Sequence, residues 1–513
     1  MFLRRYFILL ALSLPLFAQF NNLSLNRAIK ILKKDNLEIK IARFNEQMKK
    51  YEAKAAKGHN YGKLDATVMG MRSNDAGNVF GFKLQSREAN FGDFGFSDFL
   101  TPLGQAIGGA AQGQLPSDMS GLLQKQPNDL NYPGARNHFQ TKIAYMLPIY
   151  TGGKLTEYGK ITRSMHKMSK LDTKKLLNEK IFQTKKAFYD ISLVENYITN
   201  LFKIIHNIRR LEHIVRSMQK EGYAKDIDLL EVQARKAEAE SMYNQAKLNR
   251  DLAYQFLSFL LNSDVASIKR VNDMAPMPKI SRARLAKSNI DIQKALLGLK
   301  ISKMAIDVEK SNFHPMVGAF AEYSSADDKL WNEFKEKDAY TFGLQLKWNL
   351  FNGGIDMANL EKAKVNYMMV SDQVKLAKKG IALKANKLKT EILSAASDIR
   401  SYKKQLRFAA KVYDNYSAKY KEGMTSISDV LIKQSKELEI LLKLLTAKNS
   451  RNTKIFELDS ILNREGKASI RNTGRSSDNI NLESKVTADN KEGGTESIQP
   501  ETNTVIEEKG DVS

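Results

Sequence analysis

The sequence says nearly the same thing twice, 201 residues apart. Ile149-Tyr150-Thr151-Gly152-Gly153 returns as Leu350-Phe351-Asn352-Gly353-Gly354, and Lys220-Glu221-Gly222 as Lys421-Glu422-Gly423. Asp228-Leu229-Leu230 returns as Asp429-Val430-Leu431, and Leu261-Asn262 as Leu462-Asn463. A single spacing held from position 149 to position 262 obliges both copies to build the same object.

That object begins with a long helix. No proline interrupts Gly153 to Gly222, and the stretch reads as one helix about 100 Å long at 1.5 Å per residue. Its apolar residues recur every seven positions in three columns: Ile191, Ile198 and Ile205; Val194, Leu201, Ile208 and Val215; Tyr197, Ile204, Leu211 and Met218. A strict seven-residue repeat means left-handed coiling against neighbours, and three columns make a stripe wide enough to touch helices on both sides. The second copy keeps the register with Ile392, Ile399, Leu406, Tyr413 and Tyr420, beside Ala395, Tyr402, Ala409 and Tyr416. Each helix reverses at a glycine, Gly222 or Gly423, and returns through a shorter partner, so the chain forms two long antiparallel hairpins.

Just before each Gly-Gly the period changes from seven to two. Phe342, Leu344, Leu346, Trp348 and Leu350 alternate with polar or small residues, and Thr141, Ile143, Tyr145, Leu147 and Ile149 share one face of the matching stretch. About ten residues with one apolar face is the length of a transmembrane β-strand. A further strand precedes each, with Leu64, Ala66 and Val68 mirrored by Val317, Ala319 and Ala321. That pair lies at an offset of 253, as does Asn36-Leu37-Glu38-Ile39 against Asn289-Ile290-Asp291-Ile292. The first β-hairpin therefore carries extra residues, which fall in the Gly-, Phe- and Asn-rich segment 73–137. We expect a long loop outside the barrel, packed around Phe80, Phe82, Phe91, Phe94, Phe96 and Phe99. Four strands cannot close a barrel, and open edges are not tolerated in lipid, so several chains must share one. Two chains give a bore filled by side chains; three give the smallest open passage, and a trimeric conduit follows.

The termini set the compartment. Arg4 and Arg5 precede an apolar run from Tyr6 to Phe17, with a cleavage site expected after Ala18, as in a secretory signal. No later stretch approaches the roughly 20 apolar residues of a transmembrane helix, so any bilayer this chain crosses is crossed by strands. There is no cysteine, hence neither a disulfide nor a lipid-anchored N-terminal Cys. The net charge of +24 is spread along the sequence without an aromatic-interleaved patch; it reads as lysines on solvated helices, and nucleic acid is not expected as a partner. The expected organisation is a signal peptide at 1–18, a first repeat at 19–262 with its helical hairpin at 153–262, and a linker at 263–280. A second repeat follows at 281–465 with its hairpin at 354–465, then a disordered polar tail at 466–513.

Nothing in the sequence reads as a catalytic site or a cofactor site. Gly152-Gly153 opens a helix but lacks the Lys-Ser/Thr of a phosphate loop, and His206 and His213 lie two helical turns apart, too far to share a metal. No metal is expected.

These features resemble the TolC-type outer-membrane efflux proteins over roughly residues 20–465. The resemblance rests on the duplicated strand-to-helix signature at Leu147–Gly153 and Trp348–Gly354, and on the Gly-then-Asp-x-Leu turns at Gly222 and Gly423. It implies a homotrimer: an outer-membrane β-barrel, to which each chain gives four strands, above a periplasmic α-barrel of long helical hairpins. Such proteins are passive exit ducts of tripartite efflux pumps or type I secretion systems, working with an inner-membrane transporter and a periplasmic adaptor that docks on the helical tips. By the resemblance Asp429 and Tyr420 match residues at the closed periplasmic entrance, and Asp228 is the first-repeat counterpart of Asp429; a helix cap suits Asp429 as well as a gate does and suits Asp228 better. Ile432 stands where a second acidic residue is expected, and Thr425 where an Arg is, so no Arg lock on Asp228 is available. The docking tips would be Glu221, Gly222 and Tyr223 with Glu422, Gly423 and Met424; glutamates replace the apolar residue common before each turn glycine, which implies altered docking chemistry. The rival reading from the residues alone is a periplasmic coiled-coil scaffold or adaptor, which explains the hairpins but not the alternating strands.

Overall fold

The computed structural model describes residues 20–111, 121, 124–272, 274–279, 285 and 287–463; the expected signal at 1–18 and tail at 466–513 lie outside the described residues. Two helices set the dimensions. α6 (Lys154–Lys220) and α9 (Ile355–Lys421) are each 67 residues long and begin 201 residues apart. Each returns through a shorter partner, α7 (Asp226–Leu261) and α10 (Ile427–Ile461). The seven-residue columns supply the buried face: Ile191, Leu201 and Ile208 are fully enclosed, and Ile392, Ile399 and Ala409 are buried in the columns of the second copy.

Before each β-hairpin stands a helix capped in the same way. Asn36 opens α2 (Leu37–Gly58), accepting the Ile39 amide at 2.9 Å while its own amide donates to the Leu260 carbonyl. Asn289 opens α8 (Ile290–Lys310), accepting from Ile292 at 3.0 Å and donating to the Ile461 carbonyl. The shared Asn-x-x-Ile at an offset of 253 is thus one device used twice: a cap that also ties the helix start to the end of the returning helix. A short α1 (Leu25–Asp35), capped by Ser24, precedes α2.

The four strands β1 (Lys63–Ser73), β2 (Arg136–Thr151), β3 (Met316–Asp327) and β4 (Asp338–Lys347) form one antiparallel sheet in the order β1-β2-β3-β4. Register aligns Leu64, Ala66 and Val68 with Tyr145, Ile143 and Thr141. It aligns Tyr145 and Ile143 with Ala321 and Tyr323, and Ala321 and Ala319 with Phe342 and Leu344. One face is therefore apolar across the whole sheet, and Phe342 and Leu344 on it are 77% and 73% exposed. The other face carries Lys142 paired with Glu322 at 3.2 Å, with Thr341, Gln345 and Lys347 beside them.

Two expectations are corrected. The first loop spans 74–135 rather than 73–137, because Ser73 pairs with Arg136 and Arg72 with Asn137. Ile149 leaves the apolar series, because the β2–β3 register shifts between Pro148, which has no amide to donate, and Tyr150. Described residues of the expected linker also enter the core: Phe20 and Leu23 form parallel bridges to Val265 and Ile268, and Val265, Ile268 and Ala275 are buried with Leu32, Phe188, Leu257 and Ile392. The loop's aromatic centre forms in part. Phe82 is buried, Phe80 meets Phe94 edge-on at 5.1 Å, and Phe91 meets Phe96 at 5.3 Å while remaining 76% exposed.

The helices make a layer. Near the sheet they lie in the order α2, α6, α8, α9, and toward the tips in the order α7, α6, α10, α9, each packed on the next. The outermost helices carry exposed apolar stripes, on α2 at Leu37, Ile41, Phe44, Met48 and Tyr51, and on α9 at Val365, Leu376 and Leu383. No helix among the described residues is long and apolar enough to cross a membrane.

Candidate functional site

Both helical reversals are built alike. α6 ends with Gly222 at φ +80°, its amide donating to the Gln219 carbonyl at 3.0 Å and the Tyr223 amide to Met218 at 2.8 Å. α9 ends with Gly423 at φ +71°, Gly423 donating to Tyr420 at 3.0 Å and Met424 to Lys419 at 2.9 Å. This is the left-handed glycine stop that satisfies the last helical carbonyls. It leaves Glu221, Tyr223, Glu422 and Met424 exposed at the tips, with Tyr223 77% and Met424 70% open. At the other end of the long helices, Gly152 and Gly153 (φ +64° and +88°) and Gly353 and Gly354 (φ +69° and +83°) turn strand into helix.

The aspartates after the turns do cap. The Asp228 carboxylate accepts the Lys225 amide at 2.9 Å, closing the first turn of α7. In α10 the arrangement is reciprocal: the Asp429 amide donates to the Ser426 hydroxyl at 3.1 Å, and that hydroxyl donates back to the carboxylate at 2.7 Å, joined by Thr425 at 3.1 Å. The Ser426 hydroxyl, then that of Thr425, hold the Asp429 carboxyl below the usual range, so it stays ionised.

Tyr420 is not on the surface. It is 6% exposed in the tip core with Val215, Val232, Ile427 and Leu431, and its hydroxyl has no hydrogen-bond partner within the protomer. Burial, then the nearby Asp228 carboxylate, raises its pKa. The structure thus brings Tyr420 and Asp228 together across the two hairpins, while Asp429 engages hydroxyls of its own turn. Ile432 is 58% exposed. The hairpins are joined near the tips by Ser428, which donates to Glu231 at 2.6 Å.

The polar centre of the tip core carries residues that sequence reading missed. Glu212 of α6 is held by Lys236 at 2.6 Å and Arg216 at 3.0 Å, and these partners, Lys236 foremost, keep its carboxyl low. The positions 201 residues later are Tyr413 and Glu437, so an ion pair in the first hairpin becomes a phenol and a carboxyl in the second. Burial first and then Asp414 push the Glu437 carboxyl up to about 7, and burial, Glu437 and Asp414 push Tyr413 up to about 12. Gln434 is completely enclosed with both side-chain polar atoms unpartnered, whereas its first-repeat counterpart Gln233 reaches Glu212. Comparing the repeats position by position at the 201 spacing was the signal that could have found these residues.

The histidines His206 and His213 are exposed. Among the described residues one carboxylate group has metal-like spacing, Glu88, Asp327 and Asp328, but the Lys337 ammonium already sits on Glu88 and Asp327.

Residues 282–464 match the family model described as outer membrane efflux protein. No curated protein matches the chain. Among solved structures, the fold is similar to CusC (TM-score 0.69, 14% identity, 87% of this chain and 95% of that one). It is also similar to the Campylobacter jejuni CmeC outer membrane channel (0.68, 15%, 86% and 85%) and the Neisseria gonorrhoeae MtrE outer membrane channel in its open state (0.67, 14%, 86% and 88%). The chain therefore carries an outer membrane efflux protein domain in its second half and, over most of its length, the fold of the TolC-family channels.

Proposed function

We propose that this protein is a trimeric outer-membrane channel-tunnel, the passive exit duct of a tripartite efflux pump or type I secretion system. The observation that carries the reading is that one protomer ends on open edges in both of its layers. β1 and β4 border the sheet, α2 and α9 border the upper helices, and α7 and α9 the lower ones, with exposed apolar stripes on those borders. Joining β4 to the next protomer's β1, and α9 to the next protomer's α2 and α7, closes both layers by one rotation. Three copies give twelve strands and leave an open passage. The face bearing Ile143, Tyr145, Phe342 and Leu344 then meets lipid, and the face bearing Lys142 and Glu322 lines the lumen. A soluble scaffold has no use for such an apolar outer face.

The helical tips then form the periplasmic entrance. Asp429 would supply three ionised carboxylates that favour cations, with the buried Tyr420 ring packing the two hairpins of each protomer together and Asp228 capping α7. An adaptor would dock on Glu221–Tyr223 and Glu422–Met424, whose glutamates favour a basic or hydrogen-bond-donating partner surface, and an inner-membrane transporter would drive export. The test is single-channel recording of purified protein, wild type against Asp429→Ala. Cation-selective openings that lose selectivity in the variant support the reading; an unchanged channel demotes Asp429 to a helix cap. Folded particles that stay monomeric and do not conduct sink the duct.

A further inference from the structure

The insertion at 74–135 does not stand clear of the sheet. Along β2 the apolar face holds Thr141, Ile143 and Tyr145, so His138 lies on the opposite, polar face with Lys142. His138 is 2% exposed because the Phe82 ring of α3 (Ala76–Gln85) lies flat on it, centroids 4.2 Å apart and planes 8° apart. α3 is thus seated on the face that a closed barrel turns inward. It is fastened there by charge. Lys337, 7% exposed, reaches Asp327 at 2.9 Å and Glu333 at 3.0 Å in the second hairpin and Glu88 in the insertion. Arg136 pairs with the same Glu88, and the Arg87 guanidinium donates to the Asp338 carbonyl at the start of β4. Burial alone would lower the Lys337 pKa; hydrogen bonds to Asp327, Glu88 and Glu333 raise it instead, so the cation persists.

The described segments at 91–111 and 124–135 fold on this base. Gly95 (φ +78°) lies against Pro127, and the Asn128 amide donates to Asp98 at 2.9 Å. Apolar residues remain uncovered: Phe91, Leu100, Ile107 and Tyr132 are 76%, 54%, 60% and 79% exposed. Lipid headgroups do not suit them, because α4 (Phe96–Ala111) carries Asp98 as its one charge and no basic residue. The second hairpin, at 328–337, has no equivalent element.

We propose that the described parts of the insertion, at 74–111 and 124–135, form an extracellular lid: three copies converge over the barrel mouth and cover one another's apolar residues, narrowing the exit. This rests on the trimeric reading above. Twelve strands 4.8 Å apart and tilted by about 40° make a barrel roughly 24 Å across between backbones, which three helices of about 10 Å nearly fill. The occupant of each apolar surface is the same surface of the neighbouring copies.

The chain has no cysteine, so a single one reports cleanly. Met146→Cys lies on the polar face deep in the sheet, and Met146 is 63% exposed in the protomer. In intact cells it should react with a small maleimide but resist a polymer-linked one. Replacing 76–134 by a short glycine turn, or releasing the lid with Lys337→Met, should raise polymer labelling about tenfold or more, as expected when a lid controls access. Oxidation of an Ile107→Cys variant should give disulfide-linked dimers. Equal polymer labelling with and without the lid, or no Ile107→Cys dimer in particles that glutaraldehyde fixes as trimers, overturns the lid alone. Particles that glutaraldehyde fixes as monomers overturn the trimer, and the lid with it.

Discussion

The Glu437 carboxyl makes the second hairpin pH-sensitive. An ordinary glutamate titrates near 4.5, and this one is pushed up to about 7 by burial between α9 and α10 and by Asp414. The groups around it are Asp414 and Tyr413 of α9, with Arg210 of α6 facing the phenol. Below pH 4.5 the carboxyl is neutral whether the helices are packed or parted. Between 4.5 and about 7 the parted state ionises and the packed state does not, so packing loses ground as pH rises; above 7 the loss is complete. The span corresponds to about 3 kcal/mol per protomer at most, less where solvent reaches the half-buried side chain. Hydrogen exchange along 405–440 should therefore show, after correction for intrinsic rates, protection roughly a hundredfold lower at pH 8 than at pH 5. Glu437→Gln should flatten the dependence and hold protection at the low-pH level. The first hairpin is an internal control: Glu212 is held low by Lys236, so its contribution changes only below pH 4.5 and protection there should be level from pH 5 to 8. If the α9–α10 tip is equally protected at pH 5 and pH 8, or if Glu437→Gln keeps the wild-type slope, the reasoning fails.

Two further perturbations separate geometry from role. Gly152→Ala places a Cβ 2.5 Å from the Ser311 carbonyl oxygen at φ +64°, while at Gly353, φ +69°, the same substitution meets nothing within 4 Å. Both strain the left-handed turn by about 1 kcal/mol, but only Gly152→Ala must also move the backbone. Thermal melting of the detergent-solubilised protein should thus fall clearly more for Gly152→Ala, and equal shifts would refute the placement. Tyr420→Phe removes a buried hydroxyl without a partner, so tip protection by hydrogen exchange should hold or rise by about 1 kcal/mol; a marked loss would show that the hydroxyl is paired in the assembled protein.

Most of the architecture was legible because it follows from period and repetition. A seven-residue column over a proline-free stretch admits only a long coiled helix, and alternation before each Gly-Gly admits only a strand. The Asn-x-x-Ile pair and the strand pair Leu64–Val68 with Val317–Ala321, both at an offset of 253, place the insertion between the first two strands. What was not legible depends on contacts between distant segments. Nothing local marks Val265 or Ile268 as core residues; they are buried because Phe20 and Leu23 bridge to them from the other end of the repeat. The seat of α3 on the polar face of the sheet is likewise invisible until the stacking of Phe82 on His138 brings the two segments together.

The two hairpins share a backbone and differ in how well their polar groups are satisfied. In the first, Glu212, Lys236, Arg216 and Gln233 form a closed network. In the second, the same heights hold Tyr413, Glu437 and an enclosed Gln434 with no partner, and the buried Tyr420 hydroxyl is also unpaired. A buried polar group without a partner costs about 1–3 kcal/mol, and one protomer places several of them in α9 and α10. Duplication supplied two equal hairpins; divergence at these positions left one closed and one poised. Asp429 stands on the poised one, so in the proposed duct parting α9–α10 from α6–α7 would widen the proposed carboxylate ring. The Ser428–Glu231 bond is a polar tie between α10 and α7 at the tip that such a movement would have to break.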